Sequence, residues 1–189
     1  MKKYRAIVIG GSAGSNESLD FLFKNLKKCY DLPVIIVQHM KGDIGEIYYR
    51  IMNEKSYLTI KEAEEKEKIK RGIIYFAPGD FHLLIESDET FTLTHEEREN
   101  FSRPSIDSLF MSAAEVYKEE LIAVLLSGAS EDGTKGMKRV KDFGGLTVVQ
   151  NPETVQYAYM PKSAIRNVKV DRILSIEQIK DLMEEQGCD

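Results

Sequence analysis

The chain has 189 residues, 42% hydrophobic and 30% charged, which suits one soluble globular domain with its own core and is short for two. Its 26 basic residues against 31 acidic ones leave a net charge of −5 without a basic stripe, so nucleic acid is not an expected partner. No apolar run approaches the roughly 20 residues that cross a bilayer, and Met1-Lys2-Lys3-Tyr4-Arg5 leads into a strand-like run rather than a signal peptide, so the expectation is a cytoplasmic protein, not membrane-embedded.

In chain order, residues 4–9 (YRAIVI) read as a strand, and Leu19, Leu22, Phe23 and Leu26 follow at helical spacing. Cys29 comes next; it and Cys188 are the two cysteines, so far apart that they suggest neither a disulfide framework nor a metal cluster. The strand 33–38 (PVIIVQ) precedes a second apolar stripe of Ile44, Ile47, Tyr48 and Ile51. The charged run 61–71 reads as a solvated loop or helix face. Residues 73–77, 82–86 and 90–94, separated by Pro78-Gly79-Asp80 and Ser87-Asp88-Glu89, read as antiparallel strands joined by tight turns. Ile106, Leu109, Phe110, Ala113 and Tyr117 form another helical stripe, with Pro104 near its first turn. The run 121–126 (LIAVLL) is apolar on both faces, as a strand covered by helices on both sides must be. A helix over 133–143, strands at 146–150 and near 169–174, and a last helix opened by Ser175 and Gln178 in capping-box spacing complete the chain. The predicted fold class is α/β, a doubly wound, mostly parallel sheet with an antiparallel hairpin insertion at about 73–94, and residues 1–189 form a single domain.

The first strand ends in Gly10-Gly11-Ser12-Ala13-Gly14. The dinucleotide fingerprint cannot be laid over it, because the second glycine would fall on Ser12 or Ala13, and no Gly-Lys-Ser/Thr follows for a phosphate loop. The pattern that fits is G-x-S-x-G, in which a serine on a sharp strand-to-helix turn needs neighbours with little side chain, and the following helix offers N–H groups to a developing oxyanion. A tight turn whose serine merely caps the helix fits the pentapeptide too. A nucleophilic serine needs a base and the base an orienting acid. Of three histidines, His95 lies in a polar hairpin end and His82 at the start of a hairpin strand, where a structural role is the usual one. His39 ends the second strand, and in an open α/β sheet the carboxyl ends of parallel strands form the ligand crevice. The strand 121–126 runs into Glu131 and Asp132 on a glycine-bounded loop, where N-capping of the next helix would also explain an acid.

The stretches IGGSAGS, VQHM, IYFAPGDFHLLI, RPSIDSLFMS, LLSGASEDGTKGM and MPKSAI, spanning about 7 to 166, resemble the catalytic domain of the chemotaxis receptor methylesterases, the CheB type. The resemblance implies a catalytic Ser12, His39 and Asp132, with Asp132 rather than Glu131 as the acid. It implies hydrolysis of γ-glutamyl methyl esters on the cytoplasmic helices of chemotaxis receptors with release of methanol, deamidation of receptor glutamines, and no metal or organic cofactor. Oxyanion donors are expected from the backbone of Ala13 and of the loop around Ala129, and Arg103 and Met160 are expected at the substrate rim. Family members commonly carry an N-terminal receiver domain; none is expected here, and activity is expected without phosphorylation. The chain departs from the family in having Ala13-Gly14-Ser15 after the serine, Ala129 where a methionine is frequent, KGDIGEIYY after the histidine, and Tyr159 before the Met-Pro pair, all of which bear on the substrate groove. A hydrolase of another small ester or amide, and a signalling adaptor without activity, are the alternatives.

Overall fold

Seven strands lie side by side because most of their residues are apolar on both faces and are covered on both. In the computed structural model, which describes residues 4–40 and 44–188, these are β1 (Ala6–Gly11), β2 (Val34–Gln38), β3 (Thr59–Glu62), β4 (Ile73–Phe76), β7 (Leu121–Leu125), β8 (Leu146–Gln150) and β9 (Arg172–Leu174). Two more strands, β5 (His82–Ile85) and β6 (Phe91–Thr94), form a separate antiparallel pair. The helices are α1 (Ser15–Asn25), α2 (Ile44–Lys55), α3 (Ile106–Tyr117), α4 (Thr134–Asp142), α5 (Tyr159–Asn167) and α6 (Ile176–Gly187). Among the described residues no helix is long and apolar enough to cross a membrane.

The sheet order is β3-β4-β2-β1-β7-β8-β9, with every neighbour parallel. Alternate residues of each central strand face opposite layers, as the two-residue period of a strand requires. Val8, Val37, Ala123 and Leu125 meet Leu109, Phe110, Met137 and Val140 of α3 and α4, with β5 and β6 closing that side through Leu83, Ile85 and Phe91. Ile7, Ile9, Ile36 and Val124 meet Leu19, Leu22 and Phe23 of α1 and Leu182 and Met183 of α6. Both expected stripes at 19–26 and 106–117 are buried, and Ser175 and Gln178 close a capping box at the start of α6.

Several elements differ from expectation. The mostly parallel sheet and an antiparallel pair are present, but residues 73–76 belong to the main sheet, where β4 pairs with β2; the antiparallel insertion is β5 and β6 alone. The run at 61–71 begins inside β3, which is short, half-exposed and lies at the sheet edge. On α2, Ile47 is 62% and Ile51 44% exposed, whereas Tyr49 and Met52 are buried. The helix is turned by Tyr49, whose ring stacks on Phe76 of β4 with centroids 4.3 Å apart. Ile44's side chain, and Lys41, Gly42 and Asp43, lie outside the described residues. Cys29 and Cys188 form a disulfide, with Cα atoms 5.2 Å apart, a correction to the expectation that their spacing suggests no disulfide framework. Packing of α6 on the end of α1 brings them together: Asp31 N–H donates to the Gly187 carbonyl at 2.8 Å, and the Tyr30 ring lies against Gly187.

Helices α3 and α4 pack closely at Gly136. A Cβ on Gly136 would lie 2.5 Å from Phe110 Cβ and 3.2 Å from the Asp107 carbonyl oxygen, neither of which can rotate away. Overpacking of this kind costs about 1–3 kcal/mol, against a helix-propensity gain of about 1 kcal/mol for alanine over glycine. Gly136→Ala should therefore lower the urea midpoint with the denaturant slope unchanged; a midpoint equal to or above that of the parent would show that the helices can separate freely.

Candidate active site

The end of β1 has glycines because neighbouring elements leave no room for a side chain. A Cβ on Gly10 would meet Ile106 Cγ2 at 2.3 Å, and one on Gly11 would meet Ser15 Oγ at 2.6 Å. Gly14 has φ +77° and the Tyr157 ring lies against it. Between them, the backbone of Ser12 is held from three sides. Its N–H donates to the Ser127 carbonyl at 2.9 Å. Its carbonyl accepts from Ser15 N–H at 3.1 Å, Ser15 Oγ at 2.6 Å and Gln38 Nε2 at 3.1 Å. Its Oγ, by contrast, has no hydrogen-bond partner among the described residues. The residue capping α1 is Gly14, with no side-chain bond, so Ser12 is not the helix cap.

The β1–β2 register pairs Gly11 with Gln38, so the next residues, Ser12 and His39, stand on adjoining strand ends, and His39 N–H donates to the Gly11 carbonyl at 3.0 Å. His39 Nε2 lies 2.9 Å from Asp132 Oδ2. The other ring nitrogen, Nδ1, is 3.5 Å from Ser102 Oγ. His82 is buried between the Glu97 carbonyl and the Ser105 N–H, a structural histidine, and His95 is exposed beside the Asp80 carbonyl.

Asp132 is fully buried on the loop after β7, the strand that flanks β1 on its other side. It does not cap the helix that follows, whose cap is Gly133 without a side-chain bond. It serves α3 instead: Oδ2 accepts from Ile106 N–H at 2.8 Å and Oδ1 from Asp107 N–H at 3.0 Å, with Gly133 N–H also at 3.0 Å. The Ser105 hydroxyl is 3.1 Å from Oδ1 and equally far from Glu99, so its one proton serves either. Burial alone would raise this carboxyl, but the His39 ring and the α3 amides outweigh it and hold Asp132 below its ordinary value. The acid is thus an ionised acceptor, and a neutral His39 carries its hydrogen on Nε2 and its lone pair on Nδ1.

The remaining expected residues divide. Among the described residues, the N–H groups of Ala13 and Ala129 have no protein acceptor. Arg103 turns its guanidinium toward the Glu96 carbonyl at 2.8 Å and Asp80 at 3.8 Å, tying together the hairpin loops. Met160 is a correction: it is completely buried beneath the loop, where a Cβ on Gly128 would meet its Cε at 2.6 Å, so it is not at the rim. Glu131 is exposed. Sequence reasoning passed over Gln38, Asn100, Ser105 and Asp107. Gln38 was findable as a polar side chain directly before the histidine at a buried strand end. Asn100 and Asp107 reach Asp132 only through tertiary packing.

The sequence profile of the family described as CheB methylesterase matches residues 7–183. This chain belongs to the CheB methylesterase family. A protein-glutamate methylesterase/protein-glutamine glutaminase of Thermotoga maritima is 38% identical over 184 residues, covering 96% of this chain and 54% of that protein. A Leptospira interrogans relative, carrying a provisional form of the same name, is 49% identical over 179 residues, 95% of this chain and 93% of its own length. The crystal structure of the Thermotoga maritima CheB methylesterase catalytic domain superposes with a TM-score of 0.92 at 38% identity, covering 97% of this chain and 98% of that one.

In this CheB-type domain a second carboxylate lies beside the first. Asp107 is buried, with Oδ1 accepting from Gly136 N–H at 2.7 Å. Burial, and the neighbouring Asp132 charge, push its carboxyl up to about 6 against the help of Gly136. An unfolded aspartate ionises near ~3.9, so folding favours protonated Asp107 and its contribution to stability falls as pH rises from about 4 to about 6. Asp132, held low, acts in the opposite sense: its contribution is present above about 4 and is lost as pH falls below that. Asp107→Asn should abolish the first effect, so that the variant gains on the order of 2 kcal/mol relative to the parent between pH 4 and pH 7.5. Urea unfolding at both pH values measures this difference, and an offset independent of pH would contradict it.

Proposed function

We propose that Ser12, His39 and Asp132 form the hydrolytic set of this CheB-type protein-glutamate methylesterase/protein-glutamine glutaminase, acting on γ-glutamyl methyl esters of the cytoplasmic helices of chemotaxis receptors. The observation that carries the reading is the 2.9 Å contact of His39 with a buried, amide-held Asp132, beside a strand end whose Ser12 hydroxyl has no partner among the described residues.

In this reading, Asp132 fixes the tautomer and leaves Nδ1 as the base. Ser12 Oγ attacks the ester carbonyl while its proton passes to Nδ1, and the imidazolium is stabilised by Asp132. The tetrahedral oxyanion is held by the N–H groups of Ala13 and Ala129, supported by the positive end of α1. Collapse breaks the C–O bond, and the proton on Nδ1 goes to the departing methoxide, giving methanol and an acyl-serine. Water then gives its proton to Nδ1 as it attacks the acyl carbon, and Ser12 takes that proton back as glutamate leaves. With a glutamine side chain the same acyl-serine forms and ammonia is the leaving group, which accounts for the two activities in the names of the relatives. A methyl ester offers little surface for recognition, so the receptor helix must be held by the loops around the crevice.

Methanol release from a methylated receptor fragment tests the reading. Ser12→Ala should lower turnover about 10⁴-fold with the unfolding temperature unchanged, because the fixed contacts of Ser12 are all backbone. Asp132→Asn should lose a comparable factor through the wrong tautomer and also lose stability, whereas Glu131→Gln should change little. Near-parental turnover by Ser12→Ala would reject the assignment.

A further inference from the structure

Two buried carboxylates at one helix N-terminus need more than backbone donors. Asp107 and Asp132 are 2% and 0% exposed, and both belong to the first turn of α3 or bond to it. Asn100 Nδ2 lies 3.1 Å from Asp107 Oδ2 and 3.3 Å from Asp132 Oδ1. It is the one side chain among the described residues that bonds both. A carboxamide suits the place: its two hydrogens point apart and can serve two acceptors, and it adds no charge.

The backbone delivers Asn100 there deliberately. Asn100 has φ +48° and Phe101 φ +64°, in the left-handed region where asparagine is one of the few tolerated non-glycine residues. Glu99 and Ser102 close this turn with paired backbone bonds of 3.1 and 2.8 Å. Phe101 is thereby thrown outward, 95% exposed, while Ser102 faces His39 Nδ1. On its other side Asn100, with Asp107, lines a cavity of about 310 Å³ whose walls include Glu131, Lys135 and Lys138. Asn100 therefore stands between that cavity and an acid with no exposure of its own. The ionisable groups around the pair are His39 directly after β2, Glu99 in the turn, Glu131 in the acid loop, and Lys135 and Lys138 on α4.

We propose that Asn100 is a positioning residue for Asp132: its carboxamide locks Asp132 and Asp107 into one arrangement at the start of α3 and keeps cavity water from the carboxylate that orients His39. This rests on the reading of Ser12, His39 and Asp132 as the hydrolytic set. Asn100 touches no reacting atom and acts only through Asp132.

Two variants separate this role from loop folding. Asn100→Gly leaves the left-handed backbone available and removes the amide; Asn100→Asp keeps the shape and replaces the donor by a third carboxylate. Both are compared with the parent for thermal unfolding, methanol release across pH, and imidazole nitrogen NMR through a pH titration. Asn100→Gly should lower kcat by about 10- to 100-fold with KM within about twofold. Asn100→Asp should also move the acid limb of the rate profile upward by roughly one pH unit. The added negative charge favours imidazolium, so neutral His39 appears only at higher pH, and the ring nitrogens should report the same displacement. Parental kcat and pH profile in both variants, or a loss confined to KM, would overturn the proposal. If Asn100→Gly does not fold, kcat of Asn100→Asp on its pH plateau decides alone, a parental plateau overturning the proposal. A parent that releases no methanol would defeat the functional reading, and the imidazole nitrogen signals of Asn100→Gly, which should lose the parent's Nε2–H tautomer preference, would still decide the role of Asn100.

Discussion

Asp132 carries its charge where no water reaches it, and the first turn of α3 makes that tolerable. An isolated buried carboxylate would take up a proton; this one is kept ionised by the amides of Ile106 and Asp107, by His39 and by the positive end of the helix. The helix must therefore sit in one place, and Ile106 is what seats it. The residue whose N–H bonds Asp132 also lays its side chain over Gly10 of β1 and Gly133 of the acid loop, each too close for a Cβ. A single residue thus joins Asp132, the strand that leads to Ser12 and the start of α4.

From this seat the sheet does the rest. β2, β1 and β7 are consecutive at the centre, so His39, Ser12 and Asp132 follow neighbouring strand ends and inherit the rigidity of their ladders. The crevice lies where connections leave β1 in opposite directions, the usual place for a ligand in an open α/β sheet. What the sheet does not determine is the surroundings: the Glu99–Ser102 turn, the loop carrying Ala129, and Tyr157 against Gly14. Of these, the loop carrying Ala129 and the turn at Gly14 are also places in which the chain departs from the family pattern.

Much of this was readable beforehand, for physical reasons. A run apolar on both faces marks a central strand, as 121–126 did, and a serine and a histidine at strand ends share an edge by topology alone. The same test would have placed Ile73–Phe76 in the main sheet, but Pro78-Gly79-Asp80 announces a turn whether or not its flanks pair with each other. Local patterns could not tell which face of α2 packs, because both Ile47 and Tyr49 can be buried and the choice is made by Phe76. Nor could they bring Cys188 to Cys29, since that depends on α6 returning beside α1. Arg103 and Met160 lie in stretches that match the family, yet the first ties hairpin loops and the second supports Gly128, roles that a motif does not distinguish from substrate contact.

The unequal embedding of the three side chains affects how relatives should be read. Asp132 belongs to the packing of α3 as much as to the site, whereas the hydroxyl of Ser12 bonds no described residue. A lineage that abandoned hydrolysis and kept the fold for another purpose would be free to lose the serine early, while the aspartate would persist under selection for folding alone. Retention of the acid in a distant homologue therefore says little about whether it is still an enzyme. The serine is the residue whose survival bears witness.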